Sequence, residues 1–152
     1  MFQFIRIGNT NLICFNNGTI LRFWKQTKKW NVCGMCETEN KKGFLQMKID
    51  GKQYACHRVI AHAFKILDLN SPLLIDHIDR NGKNNCRSNL RPVTPQQNNF
   101  NTNAKGYSFE KQTRKWKSSI CLDEKRITIG RYDTEEEAKE AYLNAKQEYH
   151  KF

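Results

Sequence analysis

An aspartate and a histidine stand side by side at Asp76 and His77, and an asparagine-rich run follows them as far as Asn98 and Asn99. Carboxylate and amide oxygens are hard ligands of the kind that Mg²⁺ takes, and a neutral imidazole can accept a proton from water. One metal ion, one base and a basic surface suffice for phosphodiester hydrolysis, because the base activates water while the metal stabilises the leaving oxygen. Asp76, His77 and Asn98 are therefore the first candidates for chemistry in this chain.

The pattern around these residues predicts a ββα unit that would position them. We expect a strand over residues 73–78, a loop, a second strand over 90–94 and a helix that begins near Pro95, with the preceding threonine as N-cap. Such a unit brings a strand residue and a helix residue across one small gap, although neighbouring strand residues point to opposite faces unless the strand bulges. A purely structural hydrogen bond between Asp76 and His77 is the alternative, and the linked asparagines argue against it.

The charge of the chain predicts a polyanionic partner. The net charge is +11 and the sequence pI is about 9.5. Residues 1–64 hold ten basic and three acidic side chains, and residues 105–132 hold eight basic and three acidic ones. Each neutralised phosphate releases counterions and adds affinity, so a nucleic acid is the expected partner. A generic solvated basic surface is the alternative.

The amino-terminal residues 1–56 predict a series of short antiparallel strands. Tight-turn signals at residues 16–18 and 50–51 separate alternating apolar segments. Basic side chains stand beside aromatic ones here, which suits a sheet surface that lies on phosphates. The residues expected to contact DNA in this region are Arg22, Lys28 and Lys29.

Six cysteines are scattered through the chain, and reduced thiols are the default expectation for them. Cys33 and Cys36 have the spacing of half a zinc site, which Cys56 with His57 or His62 would have to complete. A turn between two strands is the favoured interpretation over structural zinc. The two histidines are expected to be structural residues of a helix that supports the ββα unit.

The carboxy-terminal residues 105–152 predict a three-stranded antiparallel sheet backed by one helix, after a linker at 101–104. The helix should begin with a capping box formed by Thr134 and Glu137. The sheet face away from this helix would be free, and a sheet of this width can enter a major groove. The candidate DNA contacts on that face are Lys117, Ser119, Arg126 and Thr128.

Three linked motifs in residues 53–100, namely "HRVIAHAF", "DHIDRNGKNN" and "SNLRPVTPQQNN", resemble the HNH endonucleases of phages, introns and giant viruses. The resemblance implies that His77 is the general base and that Asp76 and Asn98 ligate one metal ion. It implies that Asn89 fixes the loop and helps to orient the base, with similar loop work for Asn85. The expected ion is Mg²⁺, for which Mn²⁺ should substitute.

The segment "GYSFEKQTRKWKSSICLDEKRITIGRYDTEEEAKEAY" in residues 105–150 is similar to the APETALA2-like DNA-binding domain, which is also found appended to such nucleases. In that family the outward residues of the sheet read DNA. The resemblance adds Arg131, at the edge of the sheet, to the four candidate contacts named above. It also implies that Lys117 and Arg126 are the safer candidates, as phosphate contacts.

Together these patterns predict an α+β protein with an N-terminal antiparallel β region, a central ββα-metal HNH unit at 57–100 and a C-terminal sheet packed on one helix. The predicted activity is that of a metal-dependent homing-type endonuclease that nicks or cleaves double-stranded DNA. A non-catalytic DNA-binding regulator with a relic nuclease unit is the alternative. We expect a monomer or homodimer without a membrane partner, inside the cell, in the cytoplasm, the nucleus or a viral factory of the host.

Overall fold

Antiparallel strand pairs and a few helices make up the computed structural model, which describes residues 1–33, 43–102, 104–122 and 125–150. The mixed α and β content with antiparallel sheets agrees with the predicted fold class. The chain divides into two units, Met1–Val93 and Thr94–Phe152. Within the described ranges, no helix combines the length and the apolar character needed to cross a membrane.

The first unit begins with a four-stranded sheet in the order β1-β2-β3-β4. Its strands are β1 (Phe2–Ile7), β2 (Thr10–Phe15), β3 (Ile20–Trp24) and β4 (Lys29–Cys33). One face of the sheet packs into the core of the unit, to which it contributes Ile7, Leu12, Cys14, Ile20 and Cys33. The other face carries the alternate residues along each strand, because side chains of a strand point to opposite faces in turn.

A hairpin and a helix complete this core. The hairpin pairs β5 (Gln46–Ile49) with β6 (Lys52–Ala55), and α1 (Cys56–Ala63) follows at once. The side chains of α1 buried in the core are Cys56, Val59, Ile60, Ala61 and Ala63. The sequence pattern predicts that this helical face continues to Leu67, but the helix ends at Ala63 and Lys65 takes a left-handed φ of 57°.

A second hairpin carries the Asp-His pair and the asparagine-rich loop. It pairs β7 (Leu74–His77) with β8 (Leu90–Val93), and a short 3₁₀ turn at Arg87–Asn89 leads into β8. The pairing register places Asp76 opposite Arg91. The loop between the two strands is therefore closed at its base by regular ladder hydrogen bonds.

The turn between β2 and β3 packs against this loop. The backbone N–H of Arg87 donates to the carbonyl of Asn16 over 2.8 Å. Gly18 has a φ of 90°, and a Cβ at this position would lie 2.7 Å from the carbonyl carbon of Asn85. Glycine is required here both for its left-handed backbone and for its lack of a side chain.

The second unit begins with α2 (Pro95–Phe100) and continues with β9 (Tyr107–Glu110), β10 (Lys115–Leu122), β11 (Lys125–Tyr132) and α3 (Glu135–Tyr149). The sheet has the order β11-β10-β9. Its small core is formed by Ile120 together with Tyr142 and Ala145 of α3. One face of the three-stranded sheet is thus covered by the helix, as the sequence predicts.

Two helix starts agree with the sequence in detail. Thr94 caps α2 and Thr134 caps α3, each in a reciprocal capping box with the residue three positions on, Gln97 or Glu137. Such a box satisfies two of the backbone N–H groups that a helix start leaves without partners. The sequence pattern does not single out β1 as a strand, because the alternation of polar and apolar residues breaks where Ile5 follows Phe4.

Candidate active site

His77 is the last residue of β7 and exposes only 4% of its surface. Its Nε2 lies 3.0 Å from Oδ1 of Asn85, which is equally buried in the loop between β7 and β8. An amide oxygen only accepts hydrogen bonds, so with Oδ1 facing the ring Nε2 carries the proton and donates it. Nδ1 is then the ring nitrogen with the lone pair that a general base needs.

Two further rings fix the imidazole of His77. Phe44 stacks on it with ring centroids 5.6 Å apart and an interplanar angle of 24°. His57 of α1 meets it edge-on at 5.1 Å and contacts Phe44 at 5.3 Å. Burial, with smaller effects of the His77 and Arg58 charges, lowers the pKa of His57 to about 4. His57 is therefore neutral at physiological pH and adds no cation beside the candidate base.

Asp76 precedes the histidine and is held by Arg91 across the hairpin. Nε and Nη2 of Arg91 lie 2.9 Å and 2.7 Å from Oδ2 of the Asp76 carboxylate, and the residue exposes 8% of its surface. An ion pair with two charge-assisted hydrogen bonds fixes the carboxylate in one orientation. Asp76 and His77 are both buried on β7, but the unbroken register pairs Asp76 with Arg91 and His77 with Leu90, so the two side chains point to opposite faces of the hairpin. That the predicted ligand and the predicted base act at one site stays a prediction.

Asn89 holds the loop rather than touching the imidazole. Its Oδ1 accepts from the backbone N–H of Asp79 at 3.0 Å. Its Nδ2 donates to Oδ1 of Asp79 and to the carbonyl of Asn84, each at 2.8 Å. Hydrogen bonds from Asn84, Asn81 and Asn89, in that order, lower the pKa of Asp79. The many side-chain amides thus fold the loop around one carboxylate, close to the base.

Asn98, the second predicted metal ligand, is the fourth residue of α2 and belongs to the second unit. Its backbone N–H donates to the carbonyl of Thr94 at 2.9 Å, as regular helical geometry requires. Its approach to Asp76 stays a prediction.

The five candidate DNA contacts of the second unit share one face of its sheet. Cross-strand partners lie on the same face, and the register pairs Lys117 with Arg131 and Ser119 with Thr128. The remaining pair joins Cys121 with Arg126. A bulge between Ser118 and Ser119 leaves Ile129 without a cross-strand partner on β10.

Glu110 also lies on this face, and the sequence pattern did not single it out. It receives hydrogen bonds from Arg131, at 2.7 Å and 3.3 Å, and lies 3.9 Å from Nζ of Lys117. The bonds from Arg131 and Thr113 are the main causes that lower the pKa of Glu110 to about 2. Two of the predicted DNA contacts, Lys117 and Arg131, are thus paired with one carboxylate. The pairing depends on the folded sheet, in which Glu110 stands opposite Lys115.

The basic candidates of the first unit occupy different settings. Arg22 donates to the carbonyl of Lys48 and lies 5.5 Å from the ring of Trp24. Lys28 has a φ of 53° in the turn after β3, and Lys29 is the exposed first residue of β4. The two lysines are therefore on the surface, whereas the guanidinium of Arg22 is engaged inside the unit.

The residues around His77 fit a magnesium ion better than a fully protein-bound metal. In the part of the chain that the structure describes, no group of three or more His, Cys, Asp or Glu side chains could hold a metal. Mg²⁺ usually takes only one or two protein carboxylates together with water and substrate phosphates. The single buried carboxylate of Asp76 suits that donor set. The disfavoured zinc alternative includes Cys36, which lies outside the described residues. Cys14, Cys86 and Cys121 are free thiols.

No protein-family model matches the chain. A protein of Acanthamoeba polyphaga mimivirus described as an uncharacterized HNH endonuclease is 32% identical over 119 residues, which are 75% of this chain. The chain spans 63% of the length of that relative. This similarity supports the resemblance to HNH endonucleases.

Among solved structures, one of DNA binding and cleavage by the HNH homing endonuclease I-HmuI matches 59% of this chain and 50% of its own chain, with 26% identity and a TM-score of 0.45. The likeness of residues 105–150 to the APETALA2-like domain stays a prediction.

Proposed function

We propose that this protein is a metal-dependent HNH endonuclease that hydrolyses a phosphodiester bond in double-stranded DNA. The observation that carries the proposal is the buried imidazole of His77, whose Nε2 is held by Asn85 at 3.0 Å. The residue before it on β7 is the buried Asp76. A base with a fixed ring and a fixed tautomer is what proton abstraction from water needs. The similarity to a mimivirus protein described as an HNH endonuclease supports the same reaction class.

In this mechanism His77 takes a proton from the attacking water. The hydrogen bond from Nε2 to Asn85 keeps the lone pair on Nδ1, and the same bond stabilises the imidazolium that forms. Phe44 and His57 hold the ring from its face and its edge. Because His57 stays neutral, it does not oppose the positive charge that His77 acquires.

Asp76 and Asn98 are the proposed ligands of one Mg²⁺, which supplies charge stabilisation at the leaving oxygen when it is bound. Arg91 holds Oδ2 of Asp76 through two hydrogen bonds and so presets the direction of the carboxylate. We propose Asn89 as the residue that keeps the loop closed through Asp79 and Asn84. Its action on the base is then indirect, through the loop that carries Asn85.

In this proposal the basic residues bind the phosphates of DNA. Lys117, Arg126 and Arg131 share one face of the second sheet, where Arg126 lines a cavity beside α2, and Lys28 and Lys29 lie on the surface of the first unit. Phosphate contacts position a protein on the duplex without reading its sequence. Since each chain has one candidate base, a monomer is expected to nick one strand, and a homodimer could cut both.

Conversion of supercoiled plasmid to open-circle or linear form tests the proposal, with Mg²⁺ or with EDTA. We expect magnesium-dependent conversion by the wild type and a loss of about 10²–10⁴-fold in His77→Ala, since a general base contributes a factor of that size. His62→Ala is the matched control. His62 lies in the last turn of the same helix as His57, but it is His57 whose ring contacts the candidate base.

Each outcome separates the two candidate functions. Open circles before linear product would mean nicking of one strand. Equal conversion by wild type and His77→Ala would exclude His77 as the base. Salt-sensitive DNA binding without conversion, on a pool of random sequences as well as on plasmid, would favour the non-catalytic DNA-binding protein.

A further inference from the structure

The four-stranded sheet of the first unit has an outer face that is largely aromatic. The register places Phe4 opposite Ile13, and Phe23 opposite Trp30, on the face away from the core. We call this surface the aromatic face; its apolar residues are Phe2, Phe4, Ile13, Phe15, Leu21, Phe23, Trp30 and Val32. Only Arg6 and Asn11 bring polar side chains to the same face of the paired strands.

The aromatic rings of this face form a continuous track. Phe15 contacts Phe2 with ring centroids 5.8 Å apart, and Phe2 contacts Phe4 at 5.3 Å. Phe4 then meets Trp30 at 6.3 Å, and Trp30 meets Phe23 at 5.3 Å. Phe4 and Trp30 come from the two outer strands, so their side chains lean toward each other across the middle of the sheet.

Much of this track is in contact with solvent. Phe4 exposes 64% of its surface, and Phe2 and Val32 each expose 51%. Scattered exposed apolar residues are ordinary, but a contiguous exposed patch marks an interaction site.

The charge around the track argues for an anionic partner. Residues 1–33 contain five basic side chains and no acidic one. Arg6 lies two residues beyond Phe4 on β1, and Lys25, Lys28 and Lys29 lie in or beside the turn that joins β3 to β4. These groups gather at one end of the sheet, where β1 and β3 end, and they outnumber the carboxylate of Asp50, which accepts hydrogen bonds from Asn9 and Thr10 at that end. Two copies of the chain packed face to face would bring like charges together, whereas a polyanion would neutralise them.

We propose that the aromatic face binds single-stranded DNA, with unpaired bases stacked on the rings and phosphates held by the basic end of the sheet. Base stacking on aromatic side chains beside a basic track is the general mode of single-strand binding. A duplex hides the faces of its bases and offers their edges, and this face has few hydrogen-bonding groups to read edges. The choice of DNA over RNA rests on the proposed function.

Binding of a fluorescent oligo(dT) in EDTA, followed by anisotropy, tests the proposal on the full-length protein. We expect Phe4→Ala and Trp30→Ala each to weaken binding by about 10-fold, because a stacked base contributes about 1–3 kcal/mol. Phe109→Ala is the matched control, because Phe109 is an exposed phenylalanine of the second unit. Phe4→Leu and Trp30→Leu keep an apolar side chain, which supports folding, but remove the aromatic ring. A loss of affinity in the leucine variants as well as in the alanine variants would therefore not come from a folding defect.

Three results would overturn the proposal: equal losses in the Phe109 control, unchanged affinity in both series, or tighter binding of oligo(rU) than of oligo(dT). A dimer in sedimentation analysis that Phe4→Ala dissociates would assign the face to a second copy instead. Plasmid nicking with Mg²⁺, measured on the same variants, keeps the two proposals apart. Nicking without oligo(dT) binding would contradict only the proposal for the aromatic face. Binding of oligo(dT) without nicking would contradict only the proposed endonuclease function.

Discussion

The loop that carries His77 and the sheet that carries Lys117 are both rich in polar side chains, but they use them differently. In the loop, the buried amide of Asn85 bonds to the imidazole, and the buried amide of Asn89 bonds to Asp79 and to the backbone carbonyl of Asn84. In the sheet, cations and Glu110 pair at the surface, where solvent weakens each interaction. A buried network is costly to break because each group left behind lacks water. The loop can therefore fix one geometry, while the sheet can exchange partners.

The sharpest test of this contrast removes the partner of His77. In Asn85→Ala we expect kcat to fall about 100-fold with KM unchanged, since small displacements of a catalytic group carry penalties of that size. Asn85→Asp keeps an acceptor oxygen and should recover part of the loss. Asn84→Ala is the control, because Asn84 bonds Asp79 and not His77. Steady-state nicking kinetics give both constants, and an equal loss in Asn84→Ala would assign Asn85 a merely structural role.

The next test concerns the pH dependence of stability. The pKa of His57 is lowered from about 6.5 to about 4, so between these pH values the unfolded chain binds a proton that the folded chain refuses. We expect the free energy of unfolding to fall as the pH drops from about 6.5 to about 4, by up to about 3 kcal/mol. His57→Phe keeps a ring and should flatten this part of the profile in urea titrations. An unchanged slope in that variant would show that another group carries the dependence.

Substitutions on the sheet of the second unit should change the affinity for DNA and leave the rate of the chemical step unchanged. In Arg131→Ala we expect duplex affinity to fall about 10-fold at low salt, and the slope of log K against log salt to decrease by about 0.9 for a lost phosphate contact. The value of kcat should not change. Lys139→Ala changes a lysine of α3 in the same unit and serves as the control. Titrations at several salt concentrations measure both quantities, and a lower kcat with unaltered affinity would contradict the assignment.

The smallest effect is expected at Glu110, whose carboxylate competes with DNA phosphates for Arg131 and Lys117. Glu110→Gln removes the charge that pairs with Arg131 and Lys117. We expect about a threefold gain in affinity for non-specific duplex, on the scale of a surface ion pair. The pKa of Glu110 is about 2, so the wild type should show no such gain between pH 5 and pH 8. Weaker binding by this variant would mean that Glu110 orders the cations for DNA rather than competing for them.

Local signals predicted much of the fold. The Asp50-Gly51 turn, the Thr94 N-cap, the Thr134–Glu137 capping box and the Asp-His strand are encoded within a few residues, and the structure contains each of them. Pattern alone failed where tertiary pairing decides. The alternation predicts that Phe109, Ile127 and Ile129 share a face with Trp116 and Ile120. The register confirms this for Phe109 and Ile127, although each is about half exposed, whereas the bulge leaves Ile129 unpaired.

The site was predictable in its residue types but not in its contacts. The Asp76 and His77 pair is visible in the sequence, whereas the bond from His77 to Asn85 depends on the fold of the loop between them. His57 was expected to be only a structural helix residue. Its edge-on contact with His77 arises because α1 packs beside β7, which no local pattern specifies. Arg91 likewise meets Asp76 only through the strand register.

The close approach of Gly18 to Asn85 has a consequence for folding and for dissection of the protein. Asn85, which bonds the His77 imidazole, packs against the turn that contains Gly18, and these two segments lie far apart in the sequence. Non-local contacts form late because a long loop must close first. The loop that carries Asn85 should therefore reach its final shape only after the amino-terminal sheet has folded. A fragment limited to residues 57–100 would keep the candidate site residues but would lack the turn at Gly18 against which their loop packs.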